Sequence, residues 1–378
     1  MNRLKLFFGI IPLLLTGILA PEIQIPIKKV MANLNVSPQE DGPYVLYKND
    51  KVFVSYVFEK DGAKNTKTDS VALGERNKLS LTVATDIPGK TFAVRLKDKL
   101  QNEKSDFRRV SKQLVISDIE GSFGAFRKLL QGNHIIDENF NWTFGDGHLV
   151  LTGDFFDRGD RVTEVLWLIY SLEDKAKAAG GYVHFVLGNH EIMNLNGDLR
   201  YVHPKYILNA SLLNENYMTL YSEQSELGRW LRTKNVIQKV GDVLYVHGGV
   251  SAIMNTMELP VAKVNELVRP FYADTSYIYP DAVIDLLYSD LGPFWYRGYY
   301  TGSIKATQQT IDSTLLQFRA RFIATGHTII ADTISTLFDK KVFNTDVQHY
   351  KGHSEALYIE KGKFYRTTVL GEKFLIRE

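Results

Sequence analysis

Five times between residues 114 and 328, a short apolar run of the kind that forms a buried strand ends in a polar block flanked by glycine. The blocks are Ser117-Asp118-Ile119-Glu120-Gly121, Gly153-Asp154-Phe155-Phe156-Asp157-Arg158-Gly159, Gly188-Asn189-His190-Glu191, His247-Gly248-Gly249 and Gly326-His327-Thr328. The spacing predicts strands at Leu114–Ile116, Val183–Leu187, Val243–Val246 and Phe322–Ala324, and helices at Phe123–Gln131 and Val162–Ala179. Strands alternating with helices specify an α/β domain. Ligands and catalysts in such folds gather outside the carboxyl ends of the strands, where the five blocks fall. Glycine there permits tight turns and close backbone approach to a ligand.

The blocks supply carboxylates, an amide and imidazoles, a donor set suited to Mn, Fe or Zn. The chain has no cysteine among its 378 residues. Disulfides, iron–sulfur clusters and thiol nucleophiles are thereby excluded, and any metal must sit on His, Asn, Asp or Glu. Singly, each block has an ordinary explanation: Asp118 could cap the following helix, and His-Gly-Gly could be a turn. Together, ordered and chemically compatible, they point to a metal centre. The net charge is +2, from 45 basic and 43 acidic residues with no long run of one sign. No nucleic-acid partner is expected from that balance.

The rest of the chain reads as supporting parts. Arg3 and Lys5 precede an uncharged stretch from Leu6 to Ala20, the layout of a secretory signal at 1–20. Export to a periplasmic or other extracytoplasmic space is therefore expected; the alternative is an N-terminal membrane anchor, the one membrane contact anticipated. Pro21, Pro26 and Pro38 mark 21–43 as a linker. Residues 44–100 alternate with period two between Asp-Gly and Pro-Gly turns, as in a small antiparallel all-β module. The catalytic domain spans 112–378. Within it, Phe140–Leu151 reads as a hairpin turning at Gly145-Asp146-Gly147, and the insertion from Tyr201 to Gly228 as a lid, a docking groove or helical cover.

In this order the blocks resemble the signature of the calcineurin-like metallophosphoesterases. Asp157-Arg158-Gly159 and Asn189-His190-Glu191 are similar to the phosphoprotein phosphatase branch. Asn189–Leu195, Gly197–Val202 and Gly228-Arg229-Trp230-Leu231-Arg232 resemble its bacterial, Shewanella-like subgroup. The resemblance implies a mixed β-sandwich flanked by helices and two divalent ions, Mn ahead of Fe or Zn. It also implies hydrolysis of phosphomonoesters, small or carried on phosphoprotein Ser/Thr, by metal-bound hydroxide. Carried over, Asp154 bridges the metals, Asp118 and Glu120 serve the first, and Asn189, His247 and His327 serve the second. His190 becomes the general acid, held by Asp157, while Arg158, Arg297 and Asn189 hold the phosphate. Three positions depart from the pattern: Glu120 replaces a histidine, Thr328 stands where many relatives have another, and Ser122 replaces an acid or amide. A carboxylate at 120 favours Mn or Mg over softer metals. Two alternatives stay open: a phosphodiesterase or dinucleoside polyphosphate hydrolase on the same scaffold, and a pseudophosphatase, disabled by Glu120, that only binds phospho-ligands.

Overall fold

The computed structural model describes residues 41–378, Arg109 excepted. The N-terminal signal or anchor and most of the linker lie outside the described residues. Two six-stranded sheets form the centre. The first contains β7 (Lys112–Ile116), β8 (His148–Thr152), β9 (Tyr182–Val186), β15 (Glu355–Glu360), β16 (Lys363–Thr368) and β17 (Lys373–Arg377), in the order β9-β8-β7-β15-β16-β17. The second runs β13-β14-β12-β11-β10-β6, from β6 (Asp106–Phe107), β10 (Ile237–Val240), β11 (Val243–Val246), β12 (Phe322–Thr325), β13 (Ser335–Leu337) and β14 (Val342–Asn344). Strands β7, β8 and β9 are parallel, as are β11, β12 and β14. Val115, Val150 and Leu357 of the first sheet share one buried cluster with Tyr245, Ala324 and Phe343 of the second. This is the mixed β-sandwich that the family resemblance implied.

One local expectation fails. Residues 140–147 hold a turn at Gly145-Asp146 and a single antiparallel bridge from Trp142 to Ile136 rather than a hairpin arm, and β8 pairs in parallel with β7 and β9 instead of folding back on its own antecedent. The run His148-Leu149-Val150-Leu151-Thr152 is buried throughout, as a central parallel strand must be.

Helix α1 (Phe123–Gly132) follows β7, and α2 (Val162–Ala178) leads into β9. Helix α2 is buried almost all round, from Val162 to Ala176, so it needs cover on both sides. The N-terminal strands supply the second side. Strands β1 (Asp41–Lys48), β2 (Lys51–Lys60) and β3 (Ala63–Ala72) form an antiparallel sheet, and β4 (Ser80–Ala84) pairs with β5 (Thr91–Arg95). Tyr44, Val83 and Phe92 join Phe123, Trp167 and Tyr170 in one continuous core. Trp167 Nε1 donates to Pro43 O at 2.8 Å.

This seam also buries charge. Lys205 Nζ lies 3.1 Å from Asp41 Oδ2, and Arg161 Nη1 donates to Glu164 Oε1 at 3.2 Å. Burial first, then the Asp41 charge, pushes the Glu164 carboxyl up to about 8, so it folds as the neutral acid. Its contribution to stability is whole below the unfolded-state value of ~4.5 and is lost as pH rises through about 8. Glu164→Gln mimics the neutral form. It should gain stability relative to wild type between pH 5 and pH 9, read from paired thermal unfolding curves; a constant difference would mean Glu164 is ionised in the fold.

Candidate active site

The site is built from backbone that ordinary residues avoid. Asp118, Glu120, Asp154, Asp157, Arg158 and His327 all have left-handed φ, between 47° and 69°. Each such non-glycine residue costs about 1–2 kcal/mol, and strain of this kind concentrates at functional sites. Glu191 holds the turns in place. Its buried carboxylate accepts from the backbone N–H of Gly188 at 2.7 Å, Asp154 at 2.9 Å, Phe155 at 2.7 Å and Phe156 at 3.3 Å. Gly188 is required at this crossing, since a Cβ there would lie 2.7 Å from Asp154 N.

Asp154, 2% exposed, is the hub. Oδ1 accepts from His190 N at 2.9 Å, and Oδ2 lies 3.0 Å from His247 Nε2 and 3.7 Å from His190 Nε2. Two groups of donor atoms share it: Asp154 with His247 and His327, and Asp154 with Glu120 and His190, each group within 4.8 Å. His247 Nδ1 donates to Thr152 O at 2.7 Å, which turns Nε2 toward Asp154 Oδ2 and Asn189 Oδ1, each 3.0 Å away. Burial would lower this imidazole, but Asp154 outweighs it and pushes the pKa up to about 10, so Nε2 holds a proton where a cation would sit. His327 Nε2 likewise donates to Trp295 O at 3.1 Å, freeing Nδ1. Outer hydrogen bonds that aim the remaining ring nitrogen inward are those of metal-ligating histidines. Asp118 belongs to neither group; both its oxygens accept from His327 N, at 3.1 and 3.2 Å.

A chain of bonds orients His190. Its Nδ1 donates to Asp157 Oδ2 at 2.6 Å, Asp157 Oδ1 accepts from Asn194 Nδ2 at 2.8 Å, and Asn194 Oδ1 accepts from Tyr217 OH. Burial would lower the imidazole pKa, but Asp154 and Asp157 together hold it above the usual value. For Asp154 burial works upward, and His247 with His190 outweigh it, keeping the carboxylate well below its usual range. Asp118 moves the other way, pushed up to about 6 by burial with Asp154 nearby, against the pull of His247.

A cavity of about 360 Å³ opens onto this cluster. Asp118, Glu120, Asp154, Arg158, His190, Arg297 and His327 line it, joined by Ile329, Asp346 and Tyr350. Asn189, His247 and Asp157 stand behind those residues. Arg158 pairs with Glu120 and lies 5.4 Å from the Tyr201 ring. Arg297 Nη1 donates to His327 O at 2.6 Å and to Thr328 Oγ1 at 3.1 Å. Every predicted site residue is thus in or directly against one cluster. Sequence reasoning missed Glu191, Asn194, Tyr217 and Asp346. Glu191 lay inside a recognised block without a role, and Asp346 follows β14 in a sixth strand end that carries no glycine.

Residues 111–331 match the calcineurin-like phosphoesterase family. The chain belongs to the calcineurin-like phosphoesterases. Members of that family are metal-dependent phosphoesterases that act on phosphorylated substrates. A cold-active protein-tyrosine phosphatase of a Shewanella species is 35% identical, covers 90% of this chain and 100% of its own, and superposes with a TM-score of 0.80. Shewanella-like protein phosphatase 2 of Arabidopsis thaliana is 27% identical over 45% of this phosphoesterase and 54% of its own length. A symmetrical bis(5'-nucleosyl)-tetraphosphatase of Vibrio campbellii is 26% identical over 41% and 52%. This phosphoesterase spans about half the length of the curated relatives it matches. Among its described residues no helix is long and apolar enough to cross a membrane.

Proposed function

We propose that this chain is a two-metal phosphomonoesterase acting on phosphoprotein, with His190 as general acid. The observation that carries the reading is Asp154, shared by two donor groups beside the His190–Asp157 pair. Bound there, two divalent ions would neutralise charge on the phosphoryl oxygens and supply a nucleophile from water. Asp154, Asn189, His247 and His327 would hold one ion; Asp154, Asp118 and Glu120 would hold the other. Arg158 and Arg297 flank the cavity and suit phosphate oxygens through their guanidinium planes. His190, its Nδ1–H held by Asp157 and its pKa raised by Asp154 and Asp157, would carry on Nε2 the proton that the leaving oxygen needs. Glu120 falls within a donor group rather than outside it, which favours a working site over a pseudophosphatase.

The leaving group is open to a sharper reading than phosphoserine or phosphothreonine. The Tyr201 ring is 44% exposed and stands 5.2 Å from His190, where an aryl group could stack. The Shewanella phosphatase noted above is named for tyrosine. We therefore favour phosphotyrosine, with an extracytoplasmic setting from the N-terminal segment. Chelator-stripped protein should be inactive and regain turnover with Mn²⁺ better than with Mg²⁺, cleaving a phosphotyrosine peptide faster than its phosphoserine and phosphothreonine counterparts. Full activity after exhaustive metal removal would overturn the metal reading; preference for phosphoserine or a phosphodiester would overturn the substrate.

A further inference from the structure

The cavity holds a fourth carboxylate to which no role has been given. Asp346 lines it with Asp118, Glu120 and Asp154 and is 4% exposed. Those three are engaged: Asp118 with His327 N, Glu120 with Arg158, and Asp154 with His190 and His247. The Asp346 carboxylate accepts no hydrogen bond and forms no ion pair among the described residues. Arg297, the nearby cation, spends its Nη1 on His327 O and Thr328 Oγ1. A carboxylate buried beside Asp118 and Asp154 with no hydrogen bond or ion pair is costly as an anion, and a cation bound in the cavity would relieve that cost.

The loop that carries it is pinned. Asn344 donates to Thr328 O at 2.7 Å and accepts from Asp346 N at 2.8 Å, which sets Asp346 beside Thr328. Thr345 Oγ1 bonds to Ser117 Oγ and Thr325 O, each at 2.9 Å, tying the same loop to the residue before Asp118. Thr328, whose hydroxyl serves Arg297, offers the centre nothing, whereas the carboxylate fixed next to it is free. We propose that Asp346 is a ligand carboxylate of the metal centre, serving the ion on the Asp118 and Glu120 side. The proposal rests on the two-metal reading above. Asp346 would add a fourth carboxylate to Asp118, Glu120 and Asp154 around the two divalent cations.

Equilibrium dialysis of metal-free protein against Mn²⁺ tests this, with unfolding of the metal-free form as control. Wild type should bind two ions. Asp346→Asn and Asp346→Ala should keep the tighter ion and bind the weaker one ~10–100-fold less well. Metal-free Asp346→Asn should unfold no lower than wild type, since it removes a carboxylate set beside Asp118 and Asp154 that accepts no hydrogen bond, but gain less from added Mn²⁺. Both variants binding two ions with wild-type affinity would overturn the proposal, as would a destabilised metal-free Asp346→Asn with unchanged Mn²⁺ affinity. A wild type that binds fewer than two ions would overturn the two-metal reading itself, and that outcome is visible before any variant is made.

Discussion

Asp154→Asn should lose more metal and more activity than any other single substitution in the site. The substitution is nearly isosteric, so the backbone contact from His190 N to Oδ1 can persist. What disappears is the negative charge that both donor groups share. Other ligands serve one ion each, so their loss leaves the second ion with its set intact. We expect fewer than two ions per chain at saturating Mn²⁺ and a fall in turnover on the order of 10³ or more, since charge stabilisation is usually the largest single catalytic contribution. The metal-free variant should also be less stable above the acid range, because His247 and His190 hold the Asp154 carboxylate ionised in the fold. Metal analysis on folded protein, checked by circular dichroism, separates ligand loss from unfolding. Two ions retained at wild-type affinity would mean that Asp154 does not bridge.

The parts of this site that were legible in the sequence share a cause. A strand in the middle of a parallel sheet is buried on both faces, so its residues are apolar, and the first polar residues after it mark where the sheet meets solvent. Asp118, Asp154, Asn189, His247 and His327 all stand at that boundary, and the runs before them made each visible. The pairing partner of β8 was not legible, because an apolar run carries no record of which neighbour it joins; the turn at Gly145 suggested a hairpin that the buried sheet overrides. Glu191 was hidden differently. Its partners are four backbone amides, and amides leave no side-chain signature at their own positions. Tyr217 lies in the insertion read as a lid, a docking groove or helical cover; Tyr206, Leu220 and Tyr221 are buried there, as cover requires, yet through Asn194 Tyr217 also reaches the acid. Helix α2 carried the clearest unread message: with both sides apolar, it required the N-terminal strands to close over it.

His190→Asn should keep both ions and lose ~10²–10⁴ in turnover, the usual contribution of a general acid. Metal retention is expected because His190 Nδ1 is committed to Asp157 at 2.6 Å, and Nε2, 3.7 Å from Asp154 Oδ2, faces the cavity where a leaving oxygen would stand. The size of the loss should track the leaving group. An alkoxide from serine or threonine cannot depart unprotonated near neutrality, so it should show the full effect; a tyrosine phenolate, with a reference pKa of ~10, should show less. A nitrophenolate needs no proton and should show the least. Asn194→Ala should reproduce the same ordering at smaller amplitude, because it loosens Asp157 without removing the acid, and Tyr217→Phe at smaller amplitude still. The comparison is made on kcat with metal content measured in parallel. An equal loss on all four substrates would assign His190 to holding phosphate or metal. Loss of one ion would place its Nε2 in the donor group that it shares with Glu120 and Asp154, and the proton would then have to come from elsewhere in the cavity.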